Sequence, residues 1–117
     1  MNNTLPQPIT NLPEAELPFK GATAYLSQGK NHQILFMKFD EDVELPPHSH
    51  NAQWGVVLEG QIELTIDGNK NIFKKGDRYF IPEGTVHSGK IFAGYADITY
   101  FDQPDRYKIK VDKKSKL

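Results

Sequence analysis

The chain has 117 residues and a mass of 13.3 kDa, about one domain's worth of sequence, with 14 Lys+Arg against 15 Asp+Glu. A net charge of −1 and a pI near 6.4 argue against a nucleic-acid-binding surface, and no apolar run approaches the ~20 residues of a membrane span. With no basic-then-apolar leader in MNNTLPQPIT, a cytoplasmic protein is expected. The absence of cysteine excludes disulfides, thiolate metal sites and cysteine nucleophiles, so any metal chemistry falls to the four histidines, the carboxylates and the amides.

Pro6, Pro8, Pro13 and Pro18, half of all the prolines, crowd the first residues and predict an extended arm over 1–21 with no regular helix. Leu5, Ile9, Leu12, Leu17 and Phe19 are more apolar content than a disordered tail carries, so the arm is expected to dock, on a partner subunit. Residues 22–106 then read as short strands and turns. Ala22–Gln28 and His32–Phe39 flank a Gly29-Lys30-Asn31 turn, and Trp54–Leu58 ends at Glu59-Gly60. Gln61–Ile66 alternates, with Ile62, Leu64 and Ile66 on one face, and Asp67-Gly68 signals a hairpin. Asn71–Phe73, Arg78–Ile81, Val86–Phe92 and Tyr95–Phe101 supply further strands, and residues 107–117 form a basic tail expected to be solvated. With no sustained helical period, the pattern predicts an all-β sandwich or barrel.

Two of the histidines form His48-Ser49-His50. On an extended segment, residues i and i+2 point to the same side, so both imidazoles can converge on one point. His87 stands at the entry to another strand, and three convergent imidazoles suit a divalent ion such as Zn, Ni, Mn or Fe. A His-x-His pair is by itself a weak signal, since a loop histidine is more often a solvated side chain. His32, beside a turn, is expected at the surface. Trp54, Tyr79, Phe80, Tyr100 and Phe101 fit either a barrel mouth or core and interface packing. Trp54, adjoining Gln53, faces the opposite way, which favours inter-sheet or interface packing for it.

Gly76-Asp77-Arg78-Tyr79-Phe80-Ile81-Pro82-Glu83-Gly84-Thr85-Val86-His87 resembles the second motif of the cupin superfamily, G-x5-P-x-G-x2-H-x3-N. The stretch PPHSHNAQWGVVLEG, with His48, His50 and Gly60 in place, resembles the first, G-x5-H-x-H-x(3,4)-E-x6-G. Fifteen residues, Gln61 to Lys75, separate the two. The resemblance covers about Ala22 to Phe101 and implies a double-stranded β-helix, the jelly-roll barrel, as a single domain carrying an extended N-terminal arm. It also implies a divalent transition metal (Fe, Mn, Ni or Zn) on His48, His50 and His87.

Asp42 and Ile91 replace an opening Gly and a closing Asn, neither of them a ligand in the family. Counting back from Gly60 places Gln53 where the family has its glutamate ligand, with a shorter gap from His50. Gln53 either offers its amide oxygen as a fourth ligand or points away and leaves three imidazoles. An all-neutral ligand set keeps the ion's full positive charge and favours an anionic ligand. It also removes a glutamate general base from position 53, which counts against proton abstraction of that kind and leaves Lewis-acid or dioxygen chemistry open. The expected function is a small metalloenzyme, dioxygenase- or isomerase-like, acting on a small anionic organic substrate. The alternative is a non-catalytic small-molecule binding or sensing module. Edge strands that need cover predict a homodimer.

Overall fold

The computed structural model describes residues 4–111. Among these residues, nine strands form two antiparallel sheets: β1 (Ala22–Gln28), β2 (Gln33–Phe39), β3 (Val43–His48), β4 (Gln53–Glu59), β5 (Gln61–Ile66), β6 (Asn69–Lys74), β7 (Arg78–Ile81), β8 (His87–Ile91) and β9 (Ala96–Phe101). One sheet has the order β1-β2-β9-β4-β7 and the other β3-β8-β5-β6. The two face each other as a jelly-roll barrel, and the alternation written into each strand decides what lies between them. In β5, Ile62 and Leu64 are buried while Gln61 and Glu63 are not. Leu26, Leu35, Val57, Ile81, Ile91 and Phe101 fill the rest of the interior. The Asp67-Gly68 turn joins β5 to β6 with both residues at positive φ (49° and 80°), the geometry a two-residue hairpin needs to match strand twist.

β3 contains Pro46 and Pro47, which the sequence does not announce as a strand. It lies at a sheet edge, where a missing N–H costs no ladder bond, and the register shifts between Leu45 and His48 to absorb them. Gly55 admits the Tyr79 ring of neighbouring β7 so closely that any Cβ there would overlap it.

Against expectation, the proline-rich arm contains a four-residue helical turn, α1 (Gln7–Thr10), with proline in its first turn where no N–H is needed. Its later half lies along its own barrel. The Leu26 N–H donates to the Pro13 carbonyl, and Glu14 bridges Tyr25, extending the sheet beyond β1. Ala15 is buried, Phe19 stacks on Phe39, and Ala15 also bridges Ile109. The segment from Tyr107 to Lys110, expected to be solvated, therefore pairs with the arm. The Tyr107 backbone is held at both its N–H and carbonyl by the buried Gln33 amide. Residues 112–117 of the tail lie outside the described residues.

Of the five aromatics singled out in the sequence, Tyr79 and Phe101 face the interior. Phe80, Trp54 and Tyr100 sit opposite one another in register across β7, β4 and β9, on the outer face, and all three are exposed. Trp54 is thus not an inter-sheet residue. His32 precedes β2 and stacks on Tyr100, away from the other histidines. Among the described residues no helix is long and apolar enough to cross a membrane.

Candidate metal centre

His48 is the last residue of β3 and pairs in register with His87, the first of β8. His50 follows in the β3–β4 loop. That loop is pinned because the Gly84 N–H donates to the His50 carbonyl and the Asn51 N–H to Gln103 Oε1. The i, i+2 spacing on one side and a strand start on the other bring the rings to centroid separations of 4.2 Å (His48–His87), 4.7 Å (His50–His87) and 5.3 Å (His48–His50). One nitrogen from each lies within 4.8 Å of the others.

Hydrogen bonding settles which nitrogens face inward. Each Nδ1 lies against a backbone carbonyl: His48 on Pro46 at 2.7 Å, His50 on Asn51 at 2.7 Å, His87 on Thr85 at 2.9 Å. A carbonyl only accepts, so each Nδ1 carries the proton and donates, leaving the Nε2 lone pair free. Nε2 of His50 and of His87 are buried with no partner, an orphaned pair of acceptors. Burial keeps both rings neutral. It pushes the His50 imidazole down to about 4 against the pull of its Asn51 bond, and lowers that of His87, with the Arg106 cation adding to both shifts. Neutral, carbonyl-tethered imidazoles with inward lone pairs are the donor set a divalent transition ion needs, so these residues fit such an ion.

The triad lines a cavity of about 550 Å³ between the sheets, in the size range of small-molecule sites. Gln53 lines it as well, from the start of β4. Its Nε2 donates to the Tyr79 hydroxyl at 3.4 Å, and among the described residues its Oε1 has no hydrogen-bond partner.

Among the ionisable groups lining the cavity that the sequence reading does not pick out are Arg106 and Asp97. Arg106 follows β9, with its guanidinium over the Tyr107 ring (4.6 Å) and the Phe101 ring (5.7 Å). Its Nε is buried without a partner, and it forms no ion pair among the described residues. Asp97, near the start of β9, accepts from Tyr95 at 2.6 Å and from Tyr79 at 3.2 Å on one carboxylate oxygen, while the other has no partner. Burial raises its pKa to about 6 against those bonds. The cavity thus contains a carboxyl group even though position 53 does not. The available signal was polarity at inward positions: Asp97, Thr99 and Phe101 share one face of β9, and two of these three are polar non-aromatics.

Two antiparallel sheets closed around an inward-facing imidazole triad and a small-molecule cavity define a jelly-roll barrel with a candidate metal site. Residues 35–94 match the cupin domain family, and the chain belongs to that family. It is 36% identical over 64 residues to quercetin 2,3-dioxygenase of Bacillus subtilis, a match covering 53% of this chain and 19% of that protein. An RmlC-like cupin from Shewanella frigidimarina superposes with a TM-score of 0.69 at 24% identity, covering 82% of this chain and 87% of the other. KdgF from Halomonas superposes with a TM-score of 0.66 at 21% identity, covering 78% and 87%. The chain spans about a fifth of the length of the curated relatives it matches first.

Proposed function

We propose that this protein is a metal-dependent cupin in which His48, His50 and His87, with Gln53 as fourth donor, hold a divalent transition ion beside a small anionic organic substrate. The observation that carries the reading is the pair of orphaned Nε2 atoms opening onto the same cavity as Arg106, a cation that forms no ion pair among the described residues. A bound ion supplies Lewis-acid chemistry and, if redox-active, electron transfer. The chain's own residues do the rest. Arg106 receives a carboxylate in its planar fork, held in place by the Tyr107 and Phe101 rings. Leu64, Ile81 and Phe101 wall the cavity against water. The Pro46, Asn51 and Thr85 carbonyls keep the imidazoles aimed.

Dioxygenase-like chemistry is favoured over isomerase-like chemistry by the likeness to quercetin 2,3-dioxygenase over half the chain. We further infer a homodimer. The outer face of the five-stranded sheet presents Phe80, Trp54 and Tyr100 as a connected apolar row, whereas the outer face of the other sheet carries the Glu63–Lys70 ion pair. Sedimentation of Trp54→Glu should show a shift to monomer, and an unchanged mass rejects this interface.

The functional test measures metal content on purification, then oxygen consumption and product formation with diketones, catechols and sugar acids. Turnover that tracks metal content and falls in Arg106→Leu supports the enzyme. Saturable binding without turnover gives the non-catalytic module. Metal content independent of the three histidines rejects the site.

A further inference from the structure

Tyr79 and Asp97 form a hydrogen-bond chain that ends on the Gln53 amide, and the direction of that chain is determined by its far end. Asp97 Oδ2 accepts two hydrogen bonds, at 2.6 Å from the Tyr95 hydroxyl and at 3.2 Å from that of Tyr79. A phenol has one proton to give. Having given it to Asp97, Tyr79 offers Gln53 only a lone pair, and the group that answers a lone pair is the NH₂ end of the amide. The observed contact has this sense, Gln53 Nε2 to Tyr79 Oη at 3.4 Å, with Oε1 left without a protein partner among the described residues.

An amide is nearly symmetric in shape but opposite in chemistry at its two ends. Turned over, Gln53 would present an N–H, which cannot ligate a cation, in place of its oxygen. Nothing else among the described residues hydrogen-bonds either end of the Gln53 side chain, so Tyr79 is the group that distinguishes the two orientations. Tyr79 is in turn held by the space above Gly55, by Asp97 and by the Thr99 hydroxyl, none of which bonds a histidine. We propose that Tyr79, polarised by Asp97, is a positioning residue that holds the Gln53 amide with its oxygen free to ligate the ion held by the three histidines. The proposal rests on the reading of Gln53 as fourth donor and adds to it the device that makes a glutamine serviceable where a glutamate needs none. A carboxylate has oxygen at both ends and does not have to be oriented.

That contrast supplies the test. Mn(II) and Ni(II) affinities are measured on six proteins: Gln53, Gln53→Ala and Gln53→Glu, each with Tyr79 and with Tyr79→Phe. The fold is followed by circular dichroism and thermal midpoint. With Gln53 present, Tyr79→Phe should weaken metal binding about tenfold, the scale of losing an outer-shell orienting bond. In the Gln53→Ala and Gln53→Glu backgrounds the same change should alter affinity less than twofold. An equal loss in all three backgrounds overturns the proposal, because a packing defect would act regardless of residue 53. No loss with Gln53, while Gln53→Ala does weaken binding, also overturns it and leaves Gln53 as a ligand oriented by other means. If Gln53→Ala itself leaves affinity unchanged, the fourth-donor reading fails and the positioning role fails with it.

Discussion

Asp97→Asn is expected to stabilise the metal-free protein at neutral pH and to do little in acid. In the folded chain the carboxyl is buried and its pKa stands at about 6 against an ordinary 3.8, because desolvation outweighs the bonds from Tyr95 and Tyr79. A folded pKa above the unfolded one means that the folded state holds its proton more tightly. The stabilisation is complete below about pH 4 and is lost as pH rises through about 6. A gap of roughly two pKa units, at 1.36 kcal/mol each, amounts to about 3 kcal/mol lost by the wild type between pH 4 and 7.5. Asparagine cannot ionise. It resembles the protonated carboxyl closely, down to an unpartnered atom where Asp97 Oδ1 now stands.

His50 and His87 act with the opposite sign. Burial depresses their folded pKa values, that of His50 to about 4, so they cost stability as pH falls, but they are present in both proteins and cancel in the difference. Urea unfolding at pH 4, 5.5 and 7.5, with m-values compared to confirm equal exposure on unfolding, measures that difference. The advantage of Asp97→Asn should grow by about 3 kcal/mol across the series. Two parallel stability curves, or a wild type that gains on the variant with rising pH, would refute the assignment of Asp97 as a buried, proton-retaining acid.

His50→Ala should remove most of the bound divalent metal at an unchanged circular dichroism spectrum, checked by metal analysis after gel filtration. Gln53→Glu should tighten Mn(II) binding and weaken a small dicarboxylate, since a carboxylate lowers the positive charge of the site; calorimetric titration of both ligands reads the pair of effects. Gly55→Ala forces a methyl into the Tyr79 ring and should cost about 3 kcal/mol, at the upper end for overpacked cores, seen as a lower urea midpoint. Deleting residues 2–20 removes Ala15, Leu17 and Phe19 from the barrel and uncovers the β1 edge. A loss of about 2–4 kcal/mol on burial alone should appear as a lower thermal midpoint.

Most of the barrel was legible because a sheet with one face inward writes its burial as alternation. Gln61–Ile66 and Arg78–Ile81 show this residue by residue, and Asp67-Gly68 marks the β5–β6 hairpin by turn chemistry. β3 was not legible as a strand. Pro46-Pro47 argues against a ladder, and only the edge position of this segment, a property of the assembled sheet, makes them tolerable. The histidines were legible through i, i+2 geometry and the family motifs. The cavity's Arg106 and Asp97 were not, because residues from β4, β7 and β9 and from the segment after them meet through tertiary pairing that no local period reports. Trp54 shows the same limit. Alternation puts it opposite Gln53, but which side of β4 is outside depends on the second sheet.

The strand order has a kinetic consequence. β2 waits for β9, β3 for β8, and β4 for both β7 and β9, so neither half of the chain can complete a sheet by itself. Topologies dominated by such distant pairings fold in milliseconds to seconds rather than microseconds. His48 and His87 become neighbours only when β3 docks on β8, and during synthesis that requires strand β8 to have emerged. The proposed cation-binding set is therefore a product of folding and not a nucleus for it. On that proposal, ligation acts afterwards, by mass action on the finished barrel, adding about 2.7 kcal/mol when free ion stands a hundredfold above its dissociation constant. Metal supply should accordingly slow unfolding while leaving the rate of folding unchanged.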